Sequence, residues 1–146
     1  MKVSVIGLGK LGMPVAETMA SMHEVSGFDT DPEIKSTKVN IKSNIQDTVA
    51  DSEIIFIAVP TPHDKAYGGE LPSSNLPVRD FDYTALKKVL VELKNCVTEK
   101  QLIVNISTVL PGTLRPMIEE LKLAGQFIYN PYLIAMGTVS ADFLDP

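Results

Sequence analysis

Val5-Ile6-Gly7-Leu8-Gly9-Lys10-Leu11-Gly12 carries glycines at the spacing G-x-G-x-x-G. The residues before it, Lys2-Val3-Ser4-Val5-Ile6, are short, β-branched and mostly apolar, the composition of a strand buried on both faces. Gly7 permits a tight turn, Gly9 lets a backbone approach a pyrophosphate, and Gly12 lets a helix pack closely on the strand. The following segment has a helical pattern, with Leu11, Val15, Met19 and Met22 on one face and Gly12, Ala16 and Ala20 as a small-residue line. Pro14 falls in the first turn, where its missing N–H leaves no intrahelical bond unmade. A second apolar run, Val25-Ser26-Gly27-Phe28, ends in Asp29, seventeen residues past Gly12. An acid in that place accepts hydrogen bonds from an adenosine ribose.

Glycines at this spacing occur by chance. Strand, glycines, helix, strand and acid in that order are a much narrower pattern, which predicts dinucleotide binding. Asp29 with Asp31 nearby would repel a 2′-phosphate, so NAD is expected rather than NADP. Asp31-Pro32 itself has the form of a helix cap followed by a first-turn proline.

The 146 residues suffice for one domain with a real core, and the 45% hydrophobic and 21% charged fractions are globular values. A net charge of −5 argues against general nucleic-acid binding, which needs a basic surface. No apolar run is long enough to span a membrane, and the amino terminus does not read as a signal peptide. Cys96, the only cysteine, leaves no internal disulfide and fits a reducing cytoplasm. It falls on the face of an expected helix, as an inert core thiol.

Further along, Ser43-Asn44 can cap a short helix through Ala50, and the run 53–59 has the pattern of a buried strand ending at Pro60-Thr61-Pro62. A long polar loop from His63 to Asp80 follows, with His63 as a solvated residue. Asp82 can cap a helix whose buried stripe is Tyr83, Leu86, Leu90, Leu93 and Val97, with Lys87, Lys88, Glu92 and Lys94 facing outward. Another strand, 101–106, runs into Ser107-Thr108-Val109-Leu110-Pro111-Gly112-Thr113. A helix with Leu114, Ile118 and Leu121 on one side is expected to end at Gly125. Strands near 2–6, 24–28, 53–59, 101–106 and 126–129, and a short one around Val39 to Lys42, alternate with helices. The expected fold is α/β: a Rossmann-type, doubly wound, mainly parallel sheet with helices on both faces and the first strand central.

One cysteine and two unrelated histidines make no metal site, and neither histidine belongs to a serine triad. Small polar residues instead stand directly after the strands: Thr61, Ser107, Thr108 and Asn130. In a doubly wound sheet these ends converge beside the glycine turn, where hydroxyls can bond a nicotinamide ribose, a carboxamide or a substrate hydroxyl. Strand-end and capping chemistry is the alternative use of the same residues.

On Gly7-Leu8-Gly9-Lys10-Leu11-Gly12, Asp29, Val59-Pro60-Thr61-Pro62, Ser107-Thr108-Val109-Leu110-Pro111-Gly112-Thr113 and Asn130-Pro131, with Gly137 and Asp142, the chain resembles the amino-terminal NAD-binding domain of the UDP-glucose/GDP-mannose (nucleotide-sugar 6-) dehydrogenase family. Such enzymes oxidise a sugar primary alcohol to a carboxylate in two NAD-linked steps. The resemblance implies an NAD site formed by Gly7, Gly9, Lys10, Leu11, Gly12, Asp29, Val59, Pro60, Thr61, Ser107 and Thr108. It places Thr61 along the cofactor, and Thr108 near the nicotinamide as part of the catalytic site. The family's acidic residues after Asn-Pro are replaced by Tyr132 and Met136, neither of which can act as a carboxylate base. Ile34 stands where a cationic residue is frequent.

The family's central helix, its sugar-nucleotide domain and its catalytic cysteine and lysine find no counterpart in these residues. The chain is therefore expected to be an isolated cofactor domain: a truncated gene product, an expressed fragment, or one part of a split enzyme completed by a separate chain with the sugar-nucleotide domain. A non-catalytic dinucleotide-binding module working with a partner chain is the alternative, favoured by Tyr132 and Met136. A methyltransferase using the same glycine turn is disfavoured by the S-T-V-x-P-G-T segment.

Overall fold

The computed structural model describes residues 1–69, 72, 74–132 and 137–145. Among them six strands form one sheet: β1 (Lys2–Ile6), β2 (Glu24–Phe28), β3 (Asn40–Ile41), β4 (Ile54–Ile57), β5 (Leu102–Asn105) and β6 (Gln126–Tyr129). All pairings are parallel, in the order β3-β2-β1-β4-β5-β6. The chain steps outward through β2 and β3, then crosses back to β4 on the other side of β1. A doubly wound sheet leaves a crevice at that reversal, outside the carboxyl ends of β1 and β4.

Alternation along each strand divides the core in two. On one face, Ile6, Ile55, Ile57 and Ile103 pack beneath α2 (Ile45–Val49), α3 (Thr84–Lys94) and α4 (Leu114–Leu121). On the other, Val3, Val5, Phe56 and Val104 meet α1 (Gly12–Met19) and α5 (Val139–Leu144). Helices thus cover both faces, as the alternating sequence pattern requires. α3 buries Leu86, Leu90 and Leu93 completely, each contributing about 1.5–3 kcal/mol relative to exposure.

Local chemistry explains the element boundaries. Asn44 caps α2, its Oδ1 accepting the Asp47 amide at 2.7 Å. Asp82 accepts the Thr84 amide at 2.9 Å; hydrogen bonds from the Thr84 hydroxyl and amide hold its carboxyl below the usual carboxylate range. The short strand anticipated near 39–42 is present as β3, paired to Ser26 and Gly27 of β2.

Several expectations need correction. Met22 does not share the buried face of α1. The helix ends at Met19, and the amides of Ser21 and Met22 bond three residues back, so Met22 is turned out and 68% exposed. Asp31 caps no helix, because its carboxylate closes a local turn on the Glu33 amide at 2.9 Å. The strands anticipated at 53–59 and 101–106 are shorter at both ends, 54–57 and 102–105, although the Ala58 and Ile106 amides still bond the Ile6 and Ile57 carbonyls of the neighbouring strands. Gly125 does not end α4: Lys122 does, in the left-handed conformation at φ 52°. Gly125 instead lies against the sheet, where a Cβ would stand 2.8 Å from the Gln101 carbonyl oxygen. Cys96 lies in the turn after α3, half-buried, its Sγ against the Glu92 carbonyl, and burial pushes its thiol pKa up.

Candidate functional site

The glycine turn sits where the sheet reverses direction. Gly7 has φ 91°, and a Cβ there would stand 2.5 Å from the Ala58 carbonyl oxygen of the chain leaving β4. Gly12 opens α1 so close to the turn that a Cβ would lie 1.8 Å from the Gly7 carbonyl oxygen. Gly9 differs from both. A Cβ there would meet nothing within 4 Å, so the backbone faces open space. Beside it, Leu11 and Gly12 begin a helix, whose first amides have no intrahelical acceptor and form a positive dipole end suited to an anion. Lys10 is exposed on the same turn, and Leu11 half-buried.

Asp29 follows β2 and reaches back across the turn. Its Oδ2 accepts the Leu8 amide at 2.6 Å, and its Oδ1 accepts the Asp31 amide at 2.9 Å. The carboxylate thereby ties the end of β2 to the glycine turn. Leu8, 1% exposed, anchors the same turn in the core, and the Gly7 amide bonds the Phe28 carbonyl at 2.9 Å.

A cleft of about 420 Å³ opens from Gly7 and Asp29 between the ends of β1, β2 and β4 and the start of α3. Phe28, Ile45, Val59, Pro60 and Pro62 give it apolar walls, and Asp29, Thr30, Asp82, Thr84, Lys88 and Glu92 its polar rim. The α3 side escaped the sequence reading, which placed Lys88 and Glu92 on a solvated face. The signal lay in Ala85, Lys88, Val89 and Glu92, a strip at helical spacing beside the buried stripe.

The strand-end polar residues are only partly alike. Thr61 and Thr108 meet directly, the Thr61 hydroxyl donating to the Thr108 carbonyl at 2.7 Å. Thr108 is exposed, and its own hydroxyl has no partner among the described residues. Ser107 is 3% exposed and donates its hydroxyl to the Ile57 carbonyl at 3.4 Å, so its side chain is directed into the sheet. Asn130 is exposed, its amide paired with the Asn105 carbonyl, and His63 is exposed in its loop. Among the described residues no group of His, Cys, Asp and Glu is placed to hold a metal ion, and no helix is long and apolar enough to cross a membrane.

Residues 32–146 match the model of the UDP-glucose/GDP-mannose dehydrogenase family, NAD binding domain. The chain belongs to this family. Its matched part begins after the glycine turn and Asp29, so those two features stand on the geometry above. Protein CapL of Staphylococcus aureus is 32% identical over 129 residues, covering 75% of the chain and 27% of that protein. The putative UDP-glucose 6-dehydrogenase YtcA of Bacillus subtilis is 24% identical over 174 residues, covering all of the chain and 38% of that protein. The fold is also that of the GDP-mannose dehydrogenase of Pseudomonas aeruginosa, at TM-score 0.76 and 24% identity over 98% of this chain and 38% of that one. The 146 residues therefore span about a quarter to two fifths of these relatives' lengths.

As the NAD-binding domain of the family, the chain contains a cradle that fits the cofactor. The open backbone at Gly9 admits a pyrophosphate, and the cleft beside Asp29 admits an adenosine. Tyr132, which the resemblance sets at an acidic position, is half-buried with its ring 5.4 Å from that of Phe143. Burial pushes its pKa up to about 12, so it stays a neutral phenol. Met136, which the resemblance sets at the other such position, lies outside the described residues.

Proposed function

We propose that this chain is the cofactor half of a nucleotide-sugar 6-dehydrogenase, with Gly7, Gly9, Lys10, Leu11 and Gly12 receiving the pyrophosphate of NAD and Asp29 the adenosine ribose. Val59, Pro60 and Thr61 line the cofactor's path, Thr108 stands beside the nicotinamide and the reacting carbon, and Ser107 contributes through its backbone. The single observation that carries this reading is the contrast among the glycines. Gly7 and Gly12 are closed against protein backbone, while a Cβ at Gly9, on the same turn, would meet nothing within 4 Å. Packing accounts for the first two, and the reading has the third receive the pyrophosphate.

When bound, NAD supplies the hydride acceptor. The chain's own residues hold and orient it: Asp29 discriminates against a 2′-phosphate, and Thr108 offers a hydroxyl to the reacting centre. Among the described residues the one thiol, Cys96, is half-buried with its pKa pushed up by burial, which does not suit it to hold an aldehyde. In this reading a sugar-nucleotide site and a thiolate are supplied by other residues, on the same or a separate chain. A second reading, a dinucleotide-binding module without catalysis, is favoured by the neutral, packed Tyr132 at a position the family fills with an acid.

Amide chemical-shift mapping with NAD tests the site. The largest changes are expected at Gly7 to Gly12, Thr30 and the 107–110 segment. Changes confined to the opposite end of the sheet, around Met22 and Glu53, would refute the assignment.

A further inference from the structure

Residues 107–110, which carry Thr108, leave the sheet, and side chains bind the backbone of all four. The Ser107 carbonyl accepts from Asn105 Nδ2 at 3.0 Å, and the Thr108 carbonyl from Thr61 Oγ1 at 2.7 Å. Tyr129 Oη accepts the Val109 amide and donates to the Val109 carbonyl, both at 3.3 Å. Tyr83 Oη accepts the Leu110 amide at 3.1 Å and donates its own proton to Asp80 Oδ1. The four grips come from four places: β5, the segment after β4, β6 and the start of α3. In the middle of this held turn, only the Thr108 hydroxyl is exposed and unpartnered among the described residues.

A loop that merely needs its backbone satisfied can use water at this exposed edge. Here the phenol oxygens of the buried Tyr83 and of Tyr129, exposed on the edge strand β6, satisfy it instead. The Tyr83 ring is 7% exposed, packed edge-on to Phe81 at 6.3 Å, and its body fixes where the hydroxyl stands. Held this way, a turn presents its one free hydroxyl in a constant position, as hydrogen bonds to the backbone around a reacting group do. We infer that Tyr83 and Tyr129 are positioning residues that fix the 107–110 backbone so that Thr108 meets the nicotinamide end of the cofactor. Asp80, by accepting from Tyr83, extends the clamp to the long loop that ends there. The inference rests on the cofactor reading above.

The test compares NADH with ADP-ribose, which lacks the nicotinamide ring. In the Tyr83→Phe/Tyr129→Phe double variant both rings remain, and circular dichroism and the thermal midpoint monitor the fold. The double variant is expected to bind NADH about tenfold more weakly, as two lost hydrogen bonds allow, while ADP-ribose changes by less than about twofold. In that background Thr108→Ala should cost nothing further, because the two changes act on one contact. Should the double variant fail to fold, Tyr129→Phe alone makes the comparison, with about threefold loss for NADH only. Equal weakening of both ligands, or of neither, overturns the proposal. If the unaltered chain binds neither ligand, the cofactor reading fails and this inference falls with it.

Discussion

In the proposed function Asp29 decides cofactor choice, and its place in the structure suits it to two tasks. It holds the Leu8 amide, and it stands at the lip of the cleft. Asp29→Ala is expected to weaken NAD binding by about 1.5–3 kcal/mol, the range for losing a hydrogen bond to a charged group. It should also lower stability by about 1–3 kcal/mol, since the part-buried Leu8 amide loses its acceptor. Denaturant titration alongside NADH titration separates the two losses. Tyr132 gives a pH prediction. Its folded pKa, about 12, lies above the ordinary tyrosine value of 10, so the folded state binds more protons than the unfolded between these limits. Stability is full below pH 10 and falls as pH rises toward 12. Allowing for solvent screening of a half-exposed ring, the loss is about 1 kcal/mol. Tyr132→Phe should flatten this part of the alkaline stability profile; an unchanged profile would show that the phenol is not held neutral by burial.

At the scale of elements, the glycine turn makes opposite predictions for neighbouring glycines. Gly12→Ala places a methyl against the Gly7 carbonyl and should destabilise by more than about 3 kcal/mol, by overpacking that backbone cannot relieve. Gly9→Ala has room and should leave the thermal midpoint nearly unchanged while impairing NAD binding. Differential scanning calorimetry and NADH titration of the two variants check both statements. The elements themselves were legible in the sequence wherever local pattern and tertiary role coincide. The strand before Gly7 and the Asn44 cap are examples, and the stripe from Tyr83 to Val97 is another. Legibility ended where they part. Gly125 has the residue type of a helix stop, yet its place is decided by the Gln101 carbonyl beside it, a contact distant in sequence. Met22 continues a helical period that the turn at Ala20–Met22 has already broken. The Thr61–Thr108 bond joins residues 47 apart, and no spacing rule reports it. Lys88 and Glu92 looked like surface because charge at helical spacing has the same pattern on a cleft rim as in open water.

For the molecule as a whole, helices on both faces of one parallel sheet leave a crevice at the carboxyl ends of β1 and β4, where the proposed cofactor site lies. Hydride transfer needs a sugar alcohol held against the nicotinamide with a base in reach of its proton. Purified alone, the chain is expected to show no NADH absorbance with NAD and a panel of UDP- and GDP-sugars. Glutamate substituted at Tyr132 and Met136 should not restore turnover, because positioning is missing as well as the base. Steady turnover would reveal an active site within the chain that these residues do not suggest. Cofactor binding itself is tested most directly by isothermal titration of the chain with NAD and, separately, NADP. The prediction is saturable binding of one NAD per chain, with NADP weaker by at least about tenfold, since a 2′-phosphate beside Asp29 and Asp31 costs upward of 1.4 kcal/mol. Equal affinity for the two, or no saturable binding of NAD, would contradict it.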